Sequence, residues 1–290
     1  MNEKKKCPYC GLLIDSDMEK CPYCGNFMPK EEPIKQEKPK IIINDNPKNK
    51  NKDFLKFYER RDVSNKKEIA FFLINLIGLQ AFAFFIQLFT NALNPFFMIS
   101  TYGSGILNFS LYLILFGIFA VISLDDYKTL FSKFFKGRTY LYGISYGFLV
   151  IVLNALYSMI VSTLYPGYTS NQNENSIESI VAIFPALSLL VFGFIGPICE
   201  EMGYRVGLFS LIRKKNRILA YVLTSIVFGF IHFNFTSSNM AIEFINLPSY
   251  MISGILFCYI YDKEGVETSM VAHITNNVFA IMMTIISTNL

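Results

Sequence analysis

Two adjacent carboxylates and a guanidinium interrupt a strongly apolar part of the sequence. Glu200, Glu201 and Arg205 lie between the apolar runs at 180–195 and 206–212. An ionised side chain in a hydrocarbon environment is costly, so such residues usually face a helix-bundle interior or a wet cavity and have a function. We interpret this stretch as part of a site inside a membrane. The alternative is that the two glutamates cap a helix end at the membrane surface.

Two histidines could join this site. His232 and His273 are the only histidines in the sequence, and each lies in a different apolar run, which we predict to be a membrane-spanning helix. Residues four positions apart share a helix face. His232 would therefore share a face with the ring of Phe228, and His273 with the carboxamide of Asn277. Three helices would then contribute polar side chains to one interior.

These residue types suit hydrolysis of a peptide bond by water without a covalent intermediate. A desolvated carboxylate can take a proton from water near neutral pH, and an imidazole can share that water. A second imidazole and an amide can donate hydrogen bonds to the oxyanion of a tetrahedral intermediate. Alternatively, Glu200, His232 and His273 could bind a catalytic zinc, because two histidines and one glutamate are a sufficient ligand set. In a third interpretation, all these groups are packing contacts.

Composition indicates a membrane protein. Of the 290 residues, 52% are hydrophobic, and the mean hydropathy is +0.38, which is too apolar for an ordinary soluble globule. Residues 1–68 hold 16 of the 26 Lys and Arg residues, so a polar head precedes the apolar body. No apolar signal-peptide core precedes the first cysteine, and we expect the first span to target the chain to the membrane.

The apolar body predicts an all-α, polytopic membrane helix bundle of about seven spans. The segments of spanning length are 69–90, 106–124, 141–165, 180–212, 218–235, 244–261 and 268–288. The fourth is too long for one simple span and contains Pro185 and Pro197, which predicts a kinked helix or a re-entrant segment. We assign 68–290 to the intramembrane domain, with 180–290 as its motif core. The Lys-, Glu-, Asn- and Pro-rich stretch 30–67 is predicted to be a flexible charged linker.

Loop charges predict the orientation of the helices. The head and the loops at 125–140 and 213–217 are basic, whereas 91–105 is uncharged and 166–179 and 236–243 carry only acids. Under the positive-inside rule, this alternation places the N-terminal head in the cytoplasm. We expect a multi-pass protein in the lipid bilayer of the cell (plasma) membrane.

The head contains a second candidate site. The pentapeptide Cys-Pro-Tyr-Cys-Gly occurs twice and supplies four thiols, from Cys7, Cys10, Cys21 and Cys24. Each pair can present two thiolates to one tetrahedral ion, and the following glycine permits a tight turn. We predict a structural zinc on which the fold of residues 1–29 depends. A redox dithiol or two disulfides is the alternative.

This head resembles the short zinc-ribbon modules at the N-termini of many bacterial membrane proteins. Its Lys and acidic residues balance, so no basic patch indicates binding to nucleic acid. Two roles stay open for it, recruitment of a protein partner or folding alone.

Three motifs in order resemble those of the CPBP family, which comprises CAAX proteases and bacteriocin-processing intramembrane proteases. The resemblance covers residues 180–290. The motifs are Glu200-Glu201-Met-Gly-Tyr-Arg205, Phe228-x-x-x-His232 and His273-x-x-x-Asn277. The family often has glycine after the motif arginine, whereas this chain has Val206, with glycines at 203 and 207 instead. This difference bears on helix packing rather than on the catalytic set.

The resemblance implies an intramembrane endopeptidase and a role for each motif residue. Glu200 would activate water, with His232 helping to hold it. Glu201 and Arg205 would organise the site, while the histidine and asparagine of the last motif would stabilise the oxyanion. The implied substrates are membrane-associated peptides, of prenylated or leader type. Whether the chemistry uses zinc or glutamate alone is left open by the resemblance.

Two other functions fit the same residues. A non-catalytic protein of this fold could act in bacteriocin immunity or as a membrane scaffold. A transporter could use Glu200 and Arg205 as a proton or ion relay. The transporter would predict an internal repeat with paired broken helices, and the sequence has no second copy of the 197–205 pattern.

Overall fold

The computed structural model describes residues 4–7, 12–27, 63–93 and 100–288. The chain divides into two units, Met1–Lys48 and Asn49–Leu290. Of the predicted linker at 30–67, residues 30–62 lie outside the described residues.

The N-terminal unit contains a small antiparallel sheet. Its strands are β1 (Lys4–Lys6) and β2 (Leu13–Asp15). The buried residues described around this sheet are Cys7, Ile14 and Cys21. So small a core cannot hold a fold by hydrophobic burial alone, and units of this size normally need a metal or disulfides.

The second unit is helical. Its α-helices are α1 (Asn65–Leu73), α2 (Leu79–Leu93), α3 (Thr101–Ser123), α4 (Tyr127–Leu130), α5 (Gly137–Leu164), α6 (Gln172–Ile183), α7 (Pro185–Leu190), α8 (Gly196–Glu200), α9 (Ser210–Arg213), α10 (Arg217–Phe230), α11 (Met240–Glu264) and α12 (Val266–Thr288). Three π-helical segments, Ile74–Gly78, Val191–Ile195 and Glu201–Phe209, join consecutive helices without a break. Such segments are rare and often occur at functional sites.

Six helical stretches among the described residues are long and apolar enough to span a membrane. They are Asn65–Ile86, Thr101–Ser123, Gly137–Leu164, Pro185–Arg213, Met240–Glu264 and Val266–Thr288. The predicted fifth span, at 218–235, is instead the 14-residue helix α10. At about 1.5 Å per residue it rises only about 21 Å, less than the ~30 Å of a bilayer core. It stops early because the polar residues that follow make turns, such as the one in which Asn234 Oδ1 accepts from the backbone of Thr236.

The long fourth apolar segment is divided at a proline, as the sequence predicted. Helix α6 ends at Ile183 and α7 starts with Pro185. Proline has no N–H to donate and keeps the preceding residue out of the helical region, which explains the break at Phe184. Pro197 does not interrupt the helix. It follows a π-helical turn in which Gly196 N–H bonds to Val191 O.

Two boundaries differ from the sequence prediction. The stretch 166–179 was predicted as a loop, but α6 occupies Gln172 onward, because Asn171 caps its first turn by accepting from Glu174 N at 2.9 Å. The last residues of the predicted linker are also helical. Ser64 caps α1 by accepting from Lys67 N, and α1 begins at Asn65.

Glycines allow α1 and its continuation to pack closely on the first motif. A Cβ on Gly203 would overlap the carboxamide of Asn75, and a Cβ on Gly207 would lie 2.8 Å from Phe72 N. The close approach is fixed at the helix end by an ion pair, in which Lys214 Nζ is 2.6 Å from a Glu68 carboxylate oxygen. The glycines at 203 and 207 thus have a packing role.

Candidate active site

A cavity of about 850 Å³ lies among the helices of the second unit. Three of the predicted site residues line it, Glu200, His232 and Asn277, each from a different segment of the chain. The other motif residues, Glu201, Arg205 and His273, are buried behind its wall. The structure therefore brings one residue of each motif to a common cavity.

Glu200 is the carboxylate of the cavity. It ends α8, at the junction with the π-helical segment Glu201–Phe209, and is 8% exposed. Its Oε1 accepts a hydrogen bond from the Tyr112 hydroxyl at 3.1 Å. Its Oε2 has no hydrogen-bond donor among the described residues and lies 3.8 Å from His273 Nε2. One oxygen is thus anchored, while the other faces an imidazole nitrogen across a gap too long for a direct hydrogen bond.

Glu201 points into a fully buried network instead. Its Oε1 is 3.0 Å from His273 Nδ1 and 3.4 Å from an Arg205 nitrogen, and its Oε2 accepts from Ser269 Oγ at 2.5 Å. A carboxylate next to a guanidinium only accepts, so His273 Nδ1 carries the proton of this hydrogen bond. The Nε2 atom is thereby directed at Glu200. The two neighbouring glutamates consequently have different surroundings, one in the cavity and one behind it.

Aromatic rings hold the cationic side of this network. The Arg205 guanidinium lies over the Phe228 ring at 4.5 Å and near the Phe257 ring at 5.3 Å. The His273 ring stacks on Phe257 with centroids 4.3 Å apart. Phe228 also contacts His232, with ring centroids 5.0 Å apart. Phe228, the aromatic residue of the second motif, therefore packs between both imidazoles and the guanidinium.

His232 is not in a helix, so that prediction was wrong. Helix α10 ends at Phe230, and His232 lies in the turn that follows. Its Nδ1 is 2.8 Å from the Phe228 carbonyl oxygen, which can only accept, so Nδ1 is the donor and satisfies a carbonyl at the helix end. Nε2 of neutral His232 is then an acceptor. The ring stacks on Tyr250 at 4.4 Å.

Two buried polar residues fix the loop that carries His232. Asn171 Nδ2 donates to the His232 carbonyl at 3.2 Å. The Glu243 carboxylate accepts from two loops at once, from Asn234 N and from Gln172 N, both at 3.0 Å. Glu243 thus connects the His232 loop to the start of α6. This connection could not be predicted from the sequence, because Glu243 and Gln172 are 71 positions apart in the chain.

Replacing Glu243 with alanine is expected to destabilise this loop. Two backbone N–H groups would lose their acceptor, which we expect to cost about 1–2 kcal/mol, since the donors are partly exposed. Hydrogen–deuterium exchange of the detergent-solubilised protein should show faster exchange at 170–172 and 231–236, together with a lower unfolding midpoint. Glu178→Ala, which removes an exposed carboxylate from α6, is the matched control. Unchanged exchange in both loops would contradict the assigned role.

Asn277 presents its carboxamide to the cavity. Its Nδ2 donates to the Phe192 carbonyl at 3.1 Å, and its Oδ1 accepts from Asn276 Nδ2 at 3.1 Å. The amide nitrogen has a second N–H in addition to the one used by Phe192. The carboxamide is therefore held in place with one donor available to a ligand.

Two cavity residues were missed by the sequence prediction. Tyr112 binds Glu200, and Asn75 lines the same cavity from the first span. A tyrosine in an apolar run is too common to identify a site. Asn75, a carboxamide in a spanning segment, carries a sequence signal, because polar residues inside a membrane are costly.

A catalytic zinc does not fit this geometry. Among the described residues, the three cysteines of the head are the only set of metal-ligating side chains whose ligand atoms all lie within 4.8 Å of one another. Glu200, His232 and His273 do not meet that spacing. We therefore derive no step that involves a metal.

The head does fit a metal. The ligand atoms of Cys7, Cys21 and Cys24 lie within 4.8 Å of one another, and the sulfurs of Cys7 and Cys24 are 3.7 Å apart. Tetrahedral coordination at about 2.3 Å would separate sulfurs by about 3.8 Å. Cys7, Cys21 and Cys24 are not joined to one another by disulfides, unlike in the disulfide alternative. Cys10, the predicted fourth ligand, lies outside the described residues.

The surroundings of Cys21 favour its thiolate, which is the form that binds a metal. Burial opposes ionisation of Cys21, but hydrogen bonds from the backbone of Cys24 and Tyr23 and from the thiols of Cys24 and Cys7 outweigh it and lower its pKa to about 7. Gly25, directly after the second pair, has φ of +73°, which confirms the predicted tight turn.

We expect the full-length protein to bind about one zinc ion per chain. Cys21→Ser should remove most of this zinc, because it deletes a buried ligand. Cys199→Ser, which changes a buried thiol of the membrane unit, is the control and should retain it. Elemental analysis of the purified proteins makes the comparison. Equal zinc in the two variants would contradict a cysteine site in the head.

The helices and the cavity define a multi-pass helical membrane protein in which a carboxylate, an imidazole and a carboxamide line an interior cavity. Comparison with known proteins then identifies the modules. Residues 182–279 match the family of Type II CAAX prenyl endopeptidase Rce1-like proteins, and residues 3–28 match a zinc-ribbon domain. Both resemblances predicted from the sequence are confirmed over these stretches. Residues 182–279 of the larger module are therefore similar to a family of CAAX prenyl endopeptidases.

Three curated relatives match longer stretches of the chain at low identity. An uncharacterized protein of Mycoplasma capricolum subsp. capricolum is 26% identical over 183 residues, or 59% of this chain and 52% of the relative. The putative membrane peptidase YdiL of Bacillus subtilis is 26% identical over 115 residues, 39% and 43% of the two chains. The UPF0177 protein YvdC of Lactococcus lactis is 24% identical over 158 residues, 53% and 55%. The chain thus spans about half the length of the curated relatives it matches. No solved structure matches it.

Proposed function

We propose that the protein is an intramembrane endopeptidase in which Glu200 activates water to hydrolyse a peptide bond. The observation that carries the proposal is the convergence of Glu200, His232 and Asn277 on one cavity from three helical regions. The match of residues 182–279 to a membrane endopeptidase family supports the same activity. The putative membrane peptidase YdiL is a relative with a consistent name.

The proposed reaction starts at the Glu200 carboxylate. The carboxylate takes a proton from water while the Tyr112 hydroxyl holds Oε1 in position. The unprotonated Nε2 of His232 accepts a hydrogen bond from the other O–H of that water and so orients the water. The water oxygen bonds to the scissile carbonyl carbon, which becomes tetrahedral.

The rest of the site would stabilise the intermediate and complete the cleavage. Asn277 has an amide N–H available for the oxyanion. His273 Nε2, 3.8 Å from Glu200 Oε2, would add a second hydrogen bond when the ring carries protons on both nitrogens, since Nδ1 already donates to Glu201. Glu200 then returns its proton to the leaving nitrogen as the C–N bond breaks. The products are a carboxylic acid and an amine, and the carboxylate is regenerated. Glu201 and Arg205 act through His273 and are positioning residues.

We further propose that the enzyme lies in the cell membrane with its zinc ribbon in the cytoplasm. The support is the alternation of basic and acidic loops along the sequence. Peptide segments within or at the bilayer are then the substrates, in contact with lipid. The ribbon would be free to bind a cytoplasmic protein.

A three-peptide panel tests the proposed activity with the full-length protein in liposomes. The panel comprises a peptide ending in a prenylated cysteine motif, a leader-type peptide and an apolar spanning peptide, each with a fluorophore and a quencher. We expect cleavage of at least one peptide by the parent and its loss in Glu200→Ala and His232→Ala. Cleavage that survives both substitutions would reject the assigned roles. A folded parent that cleaves none of the three would favour the immunity or scaffold alternative.

A further inference from the structure

Asn75 has a buried carboxamide with no partner. It is 1% exposed, and neither its Nδ2 nor its Oδ1 has a hydrogen-bond partner among the described residues. Polar groups are normally buried only with their hydrogen bonds satisfied, so each exception calls for an explanation. A side chain with one unused donor group and one unused acceptor is suited to a ligand that offers both.

The surrounding backbone is built to hold Asn75 in this place. Asn75 belongs to the π-helical segment Ile74–Gly78, which shifts the register of the first span by one residue per turn relative to an α-helix. The carboxamide packs on Gly203 so closely that any side chain there would overlap it. Gly203 lies within the Glu-Glu-Met-Gly-Tyr-Arg motif. The first span is therefore joined to the catalytic motif at this residue.

The same side chain forms part of the cavity wall. Asn75, Glu200 and Tyr204 all line the cavity, as does Asn277. Asn75 and Glu200 therefore border the same cavity. A second asparagine of the wall, Asn108, differs in that its Nδ2 already donates to Ser104 O at 2.9 Å.

The composition of the wall indicates what kind of group Asn75 would bind. None of the described residues that line the cavity is Lys or Arg, and Glu200 is its one carboxylate. Carboxamides are frequent in it, from Asn75, Gln80, Asn108, Asn173 and Asn277. An anionic ligand would find no cationic partner here. A peptide backbone is neutral and presents one C=O and one N–H per residue. Its C=O can accept from the carboxamide N–H, and its N–H can donate to the carboxamide oxygen.

We propose that Asn75 binds the substrate backbone next to the scissile bond, donating to a peptide carbonyl and accepting from a peptide N–H. This proposal rests on the endopeptidase function and specifies its substrate as an extended, uncharged segment at the cavity. Asn75 would thus be a substrate-binding residue contributed by the first span, outside the matched residues 182–279.

The test combines a side-chain change with a backbone change. Asn75→Leu keeps the volume and removes both hydrogen bonds, and Asn154→Leu, in a spanning helix but not among the residues that line the cavity, is the control. The substrate is whichever panel peptide the parent cleaves fastest, made with a single backbone ester in place of an amide at each of three positions on either side of the scissile bond. We expect Asn75→Leu to lower kcat/KM about tenfold, the loss expected for one or two hydrogen bonds, and Asn154→Leu to lower it less than about twofold.

The ester peptides separate binding from folding. In the parent, an ester at one position should lower kcat/KM at least about fivefold, because that peptide N–H no longer donates. In Asn75→Leu the same ester should cause no further loss, which a merely structural role would not produce. Parent-like cleavage by Asn75→Leu, or ester effects that persist in it at every position, would overturn the inference and leave the proposed function standing. A parent with no Glu200-dependent cleavage would overturn both.

Discussion

Glu200→Gln is expected to lower kcat/KM for peptide cleavage by about 10³-fold while the protein stays folded. General acid–base groups contribute roughly 10²–10⁴-fold to catalysis. Glutamine has nearly the same shape, and its amide oxygen can still accept from the Tyr112 hydroxyl, which is 3.1 Å from Glu200 Oε1. The change therefore removes the base without removing its anchor. Initial rates of cleavage of the peptide panel, measured in liposomes with matched protein amounts, give the comparison.

The control for this prediction is Glu178→Gln. Glu178 is an exposed carboxylate on α6, so its substitution changes the charge of the protein by the same amount without reaching the cavity. We expect parent-like rates. A Glu200→Gln protein that retains more than about a tenth of the parental kcat/KM, with unchanged unfolding temperature, would show that another group activates the water.

The composition of the site was predictable because intramembrane polar residues are costly and therefore informative. Glu200, Glu201 and Arg205 stand out against the apolar runs on both sides, and the only two histidines of the sequence both lie in apolar runs. The break before Pro185 was predictable for a local reason, since proline restricts its own backbone and that of the preceding residue. These features depend on residue type and near neighbours in the chain.

What could not be predicted depends on contacts between distant residues. Sequence alone does not show that Glu200 would face the cavity and Glu201 the buried guanidinium, because adjacent helical residues point about 100° apart and the direction of the core is set by packing. The Tyr112–Glu200 bond joins residues 88 positions apart. His232 was expected inside a helix, yet its apolar run continues beyond the helix end, so hydropathy gave no boundary. A π-helical register also shifts every later residue around the axis.

Loss of the Glu201 carboxylate is expected to have the largest effect on stability. Glu201 and Arg205 are both fully buried and ion-paired at 3.4 Å, and Glu201 also accepts from Ser269 and His273. Glu201→Leu would leave the guanidinium without a counterion, and removing one partner of a buried pair typically costs about 3–5 kcal/mol. Cleavage should also be lost, because His273 would lose the acceptor that directs its Nε2 at Glu200.

The double variant Glu201→Leu/Arg205→Met turns this into a sharper test. Replacing both members of a buried ion pair with apolar residues of similar volume is often neutral or stabilising, since no charge is left unpaired. The rings of Phe228 and Phe257, which now face the guanidinium, would pack against the methionine. We therefore expect the double variant to unfold at a higher temperature than Glu201→Leu, although it cannot cleave peptide. Thermal unfolding in detergent, followed by circular dichroism, measures the coupling.

An exposed ion pair provides the reference for that coupling. Arg138 and Glu264 are 3.6 Å apart, and the Arg138 side chain is 68% exposed, so solvent screens their attraction. Arg138→Ala should shift the unfolding temperature little. If Glu201→Leu shifts it equally little, the buried network does not hold His273 in place, and the orientation of its Nε2 toward Glu200 must come from the stack on Phe257 alone. If Glu201→Leu lowers the unfolding temperature strongly and the added Arg205→Met restores it, stability depends on charge balance. Cleavage, which neither variant restores, then depends on the Glu201 carboxylate itself.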